Sequence, residues 1–345
     1  MTRILENDDV TCGPDGECSQ SIIGASDLSV PHPIEQTDQN PELRNVFQTS
    51  VWKLARQPYY WSASRFFRLM WALAKNIPTQ VRVLRVLSRP EYARLVAVNP
   101  RFPWKWLGSD YLARGLTVPQ QAECFVHHYR RLPNLIPERT LMQILLDEIL
   151  LDEIHEGGNC FTMKLAFSRP WDYEGELSLN FEVNGRLVFV LSFTLIPGWV
   201  VQSQSREVVL ISRVQGVKGC YHEIQLATKA MCDIAPPAIL FAALCGFAEA
   251  FGFDAMAGIN ATMKPEWHLC EGETEHIEQA YDEFFSELGA TKGPANFYLS
   301  QLPPPEKPMT LIKRGHKTRT RTKRALKREI AQRVCQLLRE TSKGS

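Results

Sequence analysis

The chain has 345 residues, 44% of them hydrophobic and 22% charged, which is ordinary for a globular protein with an ample core. The longest uncharged apolar run, residues 234–248, is too short to span a bilayer, which argues against a transmembrane protein. The net charge of +1 conceals an asymmetry, because residues 313–345 hold 12 Lys/Arg against 2 Asp/Glu. The remaining 27 basic and 36 acidic residues make a mildly acidic body that carries a basic tail.

The nine cysteines predict no metal site. None of them forms a Cys-x-x-Cys pair or a Cys/His set with the spacing of a zinc site, and their number is odd. Reduced thiols are the simplest interpretation, and the N-terminus has no hydrophobic segment typical of a secretory signal. We therefore expect a cytoplasmic protein, or one peripheral to the inner membrane.

The first half of the chain reads as a leader followed by helices. Residues 1–44 are polar and lack periodicity, which predicts a disordered leader. Residues 45–155 are predicted to be a helical region, with apolar residues at helical spacing in segments 90–98, 119–132 and 137–154. The helical region ends before Cys160, where the spacing of apolar residues changes from that of a helix to that of a strand.

Residues 156–305 are predicted to form an α/β region. Asn184-Gly185 lies between two apolar runs and predicts a type I′ hairpin turn. A helix over 274–288 and a last strand over 296–300 follow further along. The first three strands of the region are predicted at residues 160–167, 176–183 and 186–196.

A strand–turn–helix–strand unit lies at the centre of this region. Residues 206–215 read as a buried strand, a turn bracketed by Gly216 and Gly219 follows, then a helical region over 222–252 and a second strand over 255–260. Such a crossover makes its two strands parallel. Backbone N–H groups of the turn would face an anion at a helix start. We expect any active site to lie here.

The element order resembles the GNAT N-acyltransferase fold over residues 160–302. The signature of that superfamily, Gln/Arg-x-x-Gly-x-Gly/Ala, has its nearest match in Arg213, Gly216 and Gly219, with the last glycine one position late. With the segments before and after this region, we expect an α+β fold, in which a helical N-terminal part packs on a mixed GNAT-like sheet and a basic C-terminal tail and helix follow over 306–345. The GNAT resemblance implies an acyl-CoA or acyl carrier protein thioester as the donor.

A second resemblance rests on several short segments along the chain. They are Val214-Gln215-Gly216, Ala227-Thr228-Lys229, Pro236-Pro237, Phe247-Ala248, Gly258-Ile259-Asn260, His128-Tyr129-Arg130-Arg131-Leu132 and Lys317-Thr318-Arg319-Thr320-Arg321. With these segments the chain resembles the VirK/YbjX family over residues 54–338. The resemblance implies a virulence-associated protein of Gram-negative bacteria, linked to envelope modification and resistance to cationic peptides.

The leading hypothesis is an acyl- or aminoacyl-transferase-like activity on an amine of an envelope component or peptide. His222 or Glu223, at the start of the helix, would remove the proton of the amine. Asn260, which ends a buried strand, and His128 would contact the substrate. The residues expected to hold the donor are Arg213, Gln215, Gly216, Lys218, Gly219 and Lys229.

Structural interpretations of the same residues stay open. The glycines suit an ordinary turn, Glu223 complements a helix N-terminus, Lys229 suits an exposed surface, Asn260 suits a turn and His128 suits a structural role.

The alternative function is that of a non-catalytic factor at a membrane surface or on a partner protein. Residues 313–345 would then bind anionic inner-membrane lipid or an acyl carrier protein, and nucleic acid is the less favoured partner. Leu326, Ile330, Val334, Leu337 and Leu338 recur at helical spacing, which predicts a stripe that packs on the body with the basic face outward.

Overall fold

The computed structural model describes residues 70–99, 101–108, 111–168, 173–264 and 274–343. The predicted leader over 1–44 and the start of the predicted helical region lie outside these residues.

The N-terminal part of the described chain is helical. Helix α2 begins with a proline, which suits a first turn whose N–H groups have no partner within the helix. Thr117 and Gln120 form a reciprocal capping box at the start of α3. The elements are α1 (Ile77–Leu87), α2 (Pro90–Val98), the 3-10 helix Phe102–Leu107, α3 (Val118–Arg131) and α4 (Glu138–Leu146).

The predicted helix over 137–154 is wrong in its second half. Helix α4 ends at Leu146, and strand β1 (Glu148–Glu156) starts two residues later. Ile149 and Leu151 are buried in β1, whereas Leu150 between them is 46% exposed. This alternation has the period of a strand, and pairing with β2 stabilises it over the helical propensity of the leucines.

Strands β1 to β5 form an antiparallel meander. Asn184 and Gly185 both have positive φ, which confirms the type I′ turn predicted between β3 and β4. The strands after β1 are β2 (Asn159–Phe167), β3 (Leu177–Val183), β4 (Arg186–Pro197) and β5 (Glu207–Gly216).

The crossover after β5 contains two helices, which divide the predicted helical region over 222–252. Helices α5 (Tyr221–Ala230) and α6 (Pro236–Phe251) are separated where Cys232 and Asp233 adopt positive φ and Pro236 starts the next helix. Strand β6 (Ala255–Gly258) then runs parallel to β5, as predicted.

The last elements complete an eight-stranded mixed sheet in the order β1-β2-β3-β4-β5-β6-β8-β7. β8 is antiparallel to both of its neighbours. These elements are α7 (Thr274–Glu287), β7 (Thr291–Lys292) and β8 (Tyr298–Gln301).

Helices cover both faces of the sheet. Both α3 and α6 pack against β4, which is buried at consecutive positions from Val188 onward. The last helix, α8 (Lys317–Lys343), packs along α6, with Ile330, Val334 and Leu338 almost fully buried. The basic end of the chain is therefore part of the folded body.

Candidate functional site

The parallel strands β5 and β6 run together for a short distance and then separate. Ile211 pairs with Gly258, and the N–H of Ile259 donates to the carbonyl of Ile211 at 3.1 Å. β6 ends at Gly258, whereas β5 continues to Gly216. Among the described residues, 212–216 thus have no strand partner on the side that β6 has left, and we call this unpaired edge of β5 the opening.

A β-bulge lies where the strands separate. Ser192 of β4 pairs with Arg213 and Phe193 pairs with Ile211, so Ser212 is an extra residue in β5. A bulge bends its strand and turns backbone groups out of the regular ladder. The buried Ser212 hydroxyl donates a hydrogen bond to the carbonyl of Glu174.

Charged side chains connect the two sides of this opening. The carboxylate of Glu174 lies 3.3 Å from Nε of Arg213 on β5 and 4.0 Å from Nζ of Lys264, which follows β6. The side chain of Glu174 is only 7% exposed. Nε of Arg213 also donates to Gln215 at 3.1 Å. A carboxylate and two cations therefore lie beside the bulge, largely shielded from water.

A buried network holds the segment that presents Glu174. Nζ of Lys105 donates to the carbonyl of Gly175 at 2.8 Å and lies 3.1 Å from the carboxylate of Glu176. The hydroxyls of Tyr111 and Tyr129 both donate to Glu176. Because these groups are buried, they fix the position of the neighbouring Glu174.

Helix α7 forms one wall of the opening. The hydroxyl of Tyr281 accepts a hydrogen bond from the N–H of Val214 at 3.4 Å, on the strand edge that β6 has left. Phe285 packs directly on Gly258, where a Cβ would lie 2.1 Å from Cζ of Phe285. A titratable hydroxyl thus projects into the gap.

The predicted glycine turn lies at the outer end of β5. Lys218 and Gly219 are exposed, and Gly219 has φ +78° with open space where a side chain would be. Gly216 has less free space around it than Gly219, because a Cβ there would lie 3.3 Å from the side chain of Ile224. The turn leads into the N-terminus of α5, where the first N–H groups have no partner within the helix.

The proposed catalytic pair lies on the surface beside this turn. His222 is exposed, and Glu223 forms an ion pair with Arg186. A hydrogen bond from its own backbone N–H and the nearby Arg186 guanidinium lower the pKa of Glu223. Lys229 is exposed at the end of α5, two turns beyond His222.

Asn260 has structural partners. Its side-chain oxygen accepts from the N–H of Met263 at 3.2 Å and from the hydroxyl of Thr262 at 2.6 Å, so it caps the 3-10 helix Ala261–Met263. Its amide nitrogen donates to the carbonyl of Asn296 at 3.1 Å. The turn-closing interpretation of Asn260 therefore accounts for all of these contacts.

His128 is enclosed and does not lie on a rim. Its ring has no exposed surface, and Nδ1 accepts a hydrogen bond from the N–H of Leu195 in β4 at 3.2 Å. Burial, together with the charges of His127 and Lys105, holds the pKa of His128 well below its usual value. Contact with a substrate would require access that this arrangement does not give.

Four side chains at the opening were not found from the sequence: Ser212, Glu174, Lys264 and Tyr281. Glu174 and Tyr281 belong to segments distant in the chain, and a bulge at Ser212 has no signature in an apolar strand. The sequence provides an indirect indication for Lys264 alone. Because β5 and β6 are predicted to be parallel, the residues that follow β6 are expected to lie beside the end of β5.

A cavity of about 390 Å³ lies near the residues that follow β6. Arg114, Gln120, Thr262 and Asn296 contribute polar groups to its lining. Asn260 is hydrogen-bonded to Thr262 and Asn296 and therefore helps to position these two residues of the lining.

None of the helices in the described part of the chain is both long and apolar enough to cross a membrane.

Comparisons with known proteins identify the family. The model of the family described as "Protein of unknown function (DUF535)" matches residues 60–336. The chain is 28% identical over 193 residues to the "Uncharacterized protein YbjX" of Escherichia coli (strain K12), and the match covers 54% of this chain and 57% of that protein. No solved structure gives a significant match. The family model matches most of this chain, and YbjX is a relative of it. The chain therefore belongs to the VirK/YbjX family.

Proposed function

We propose that this protein is an acyl- or aminoacyl-transferase of the GNAT type, which moves an acyl group from a CoA or carrier-protein thioester to an amine. The observation that carries the proposal is the opening between β5 and β6, which begins at a bulge and ends beside a glycine turn. A long thioester needs such a slot, with an anion site at one end and oriented amides at the other.

The strand order supports the proposal. Five antiparallel strands, one parallel pair and a closing antiparallel hairpin are the arrangement expected of a GNAT-like sheet.

The donor binds along β5 in this proposal. From the bulge at Ser212 to Gly216 the strand advances by about 13 Å, which separates the thioester from the anionic end of the donor. Amides of residues 219, 221 and 222 and the ammonium of Lys218 bind phosphate at the turn, with Arg213, Gln215 and Lys229 as further contacts. Backbone N–H groups at the bulge polarise the thioester carbonyl.

Transfer then requires two proton movements. The amine nitrogen attacks the carbonyl carbon, a C–N bond forms, the C–S bond breaks and the thiolate leaves. His222 and Glu223, which the sequence predicts to accept the amine proton, both lie at the turn. Glu174 lies at the bulge and takes this role here, while the hydroxyl of Tyr281 protonates the leaving thiolate.

The acceptor is an amine of an envelope component or a peptide. The cavity lined by Arg114 and Thr262 supplies polar contacts for it next to the segment that follows β6. This activity would take place at the inner membrane and would connect the protein to envelope modification, virulence and resistance to cationic peptides.

Isothermal titration of the full-length protein with acyl-CoA and with acyl carrier protein tests the proposal. We expect one of the two thioesters to bind, and Lys218→Ala to weaken that binding several-fold because one cation at the anion site is lost. Lys75→Ala, at an exposed lysine of the N-terminal helices, is the matched control. The proposal is wrong if neither thioester binds.

A second candidate function is a non-catalytic role at an anionic surface. Lys313, Arg314 and Arg321 are exposed near the start of α8, whereas Arg319, Arg328 and Arg333 pair with acidic residues of the body. Some of the positive charge of residues 313–345 is thus neutralised by the body, and the rest is available to a partner.

Co-sedimentation with vesicles of anionic lipid, across a salt series, tests this candidate. Because α8 is packed on α6, charge variants are preferable to deletion of the tail. With about 1 kcal/mol for each basic residue, a Lys313→Ser/Arg314→Ser/Arg321→Ser variant should lose vesicle binding by at least about tenfold. Vesicle binding without thioester binding would favour this function over the transferase.

A further inference from the structure

Three side chains with metal-binding atoms meet at the end of the β1–β2 hairpin. The strands are joined by Gly157 and Gly158, both with positive φ, in a two-residue turn. His155 and Cys160 are direct partners across the strands, and Glu153 lies two residues before His155. All three therefore project from the same face of the sheet.

The distances suit a single small cation. The ligand atoms of Glu153, His155 and Cys160 lie within 4.8 Å of one another, and Nε2 of His155 is 2.8 Å from the Glu153 carboxylate. Zinc binds such atoms at about 2.0–2.3 Å, so its ligands in a tetrahedral site are about 3.3–3.8 Å apart. Small rotations of exposed side chains are enough to close this difference.

The backbone beneath the cluster is fixed. The N–H of Cys160 donates to the side-chain oxygen of Asn184 at 2.9 Å, and Nδ2 of Asn184 donates to Asn159 at 2.9 Å. These bonds connect the β1–β2 hairpin to the turn of the next one. Because the backbone of the hairpin is held in place, binding an ion requires reorientation of side chains only, which limits its entropy cost.

The cluster is accessible from solvent. The side chains of His155 and Glu153 are 69% and 43% exposed, and both point away from the face on which Asp152 contacts α8. An ion can enter without opening the fold, and a water molecule can occupy the fourth position.

We propose that Glu153, His155 and Cys160 form a Zn²⁺-binding site, separate from the opening between β5 and β6. A thiolate, an imidazole and a carboxylate together favour zinc or a similar borderline-soft ion over Mg²⁺ or Ca²⁺, which prefer all-oxygen sites. Binding displaces the thiol proton of Cys160 to solvent. The other interpretation is a solvated His155–Glu153 pair of little energetic value.

Cobalt titration of the full-length, chelator-treated protein tests the site. Co²⁺ replaces Zn²⁺ in tetrahedral sites, and bonding to a thiolate gives an intense charge-transfer absorption that Zn²⁺ should then remove. We expect this absorption in the wild-type protein, and its loss in Cys160→Ser. His155→Gln should weaken cobalt affinity by more than about tenfold.

Cys232→Ser is the matched control, because Cys232 is an exposed cysteine outside the cluster. Circular dichroism checks that each variant is folded, which we expect because all of these side chains lie at the surface. The site is disproved if the wild-type protein gives no thiolate absorption, or if Cys160→Ser retains it while Cys232→Ser removes it.

Discussion

Arg333 of α8 forms a two-pronged hydrogen-bonded ion pair with Asp152 of the edge strand β1. Nε and Nη2 of the arginine donate to the two carboxylate oxygens at 2.8 and 2.7 Å. The side chain of Asp152 is 6% exposed and that of Arg333 is 35% exposed. This planar pairing connects positions 181 residues apart and fixes the direction in which the last helix crosses the body.

Replacement of Arg333 by Gln should therefore destabilise the protein. The change leaves a nearly buried carboxylate without its cation, and we expect the free energy of unfolding to fall by about 2 kcal/mol. Urea denaturation measures this. Arg328→Gln, which removes a more exposed ion pair with Glu306, should cost less than about 1 kcal/mol. Equal effects of the two variants would contradict a special role for the Asp152–Arg333 pair.

The contact between α6 and α8 should depend on the absence of a side chain at Gly246. A Cβ at this position would lie 2.4 Å from the carbonyl oxygen of Ala331 and 2.9 Å from the side chain of Val334. Gly246→Val should push α8 away from α6 and cost about 1–3 kcal/mol by overpacking. Limited proteolysis would detect this as faster cleavage within residues 317–343. Unchanged protection of the helix would contradict the prediction.

The sequence predicted the fold best where a pattern was local. The Asn184-Gly185 hairpin, the helix starting at Pro90 and the parallel crossover into β6 each have a signature within a short segment. Strand β1 is not predicted from the sequence for two reasons. Its leucines also suit a helix, which conceals the alternation of a strand, and the strand is stabilised by pairing with β2, which lies later in the chain.

The candidate site was only partly predictable, for a physical reason. The turn after β5 was visible from its glycines, but Glu174, Lys264 and Tyr281 reach the opening from three different segments. The same limit applies to metal-binding side chains. Spacing along the chain does not reveal that the β1–β2 pairing puts His155 opposite Cys160.

The buried Lys105–Glu176 pair should be sensitive to the loss of one partner. Both side chains have no exposed surface, so Lys105→Met leaves a carboxylate in the core without a counter-charge. We expect a loss of about 3–5 kcal/mol in urea denaturation.

Adding Glu176→Gln to Lys105→Met should recover much of this loss. The amide oxygen is neutral and still accepts a hydrogen bond from Tyr111 or Tyr129, which now donate to Glu176. A double variant as unstable as Lys105→Met alone would show that the charge of Glu176 is not the cause.

The enclosed His128 should make the protein less stable in mild acid. Its pKa is lowered in the folded state, chiefly by burial, so the unfolded chain takes up a proton that the native state does not. The stabilisation is complete above the unfolded pKa of about 6.5 and declines as pH falls below it, by at most about 1.4 kcal/mol per pH unit. His127, whose pKa is also lowered by burial although the facing Glu207 opposes this, adds to the same slope.

His128→Asn should reduce this acid dependence. The side-chain oxygen of Asn can accept the hydrogen bond that the N–H of Leu195 now donates to Nδ1, but it does not titrate. Urea denaturation at several pH values between 7 and 5 gives the slope, with His316→Asn, at an exposed histidine near the start of α8, as the control. If the slopes of wild type and His128→Asn coincide, proton uptake by His128 on unfolding does not limit stability, and the acid sensitivity comes from another group such as His127.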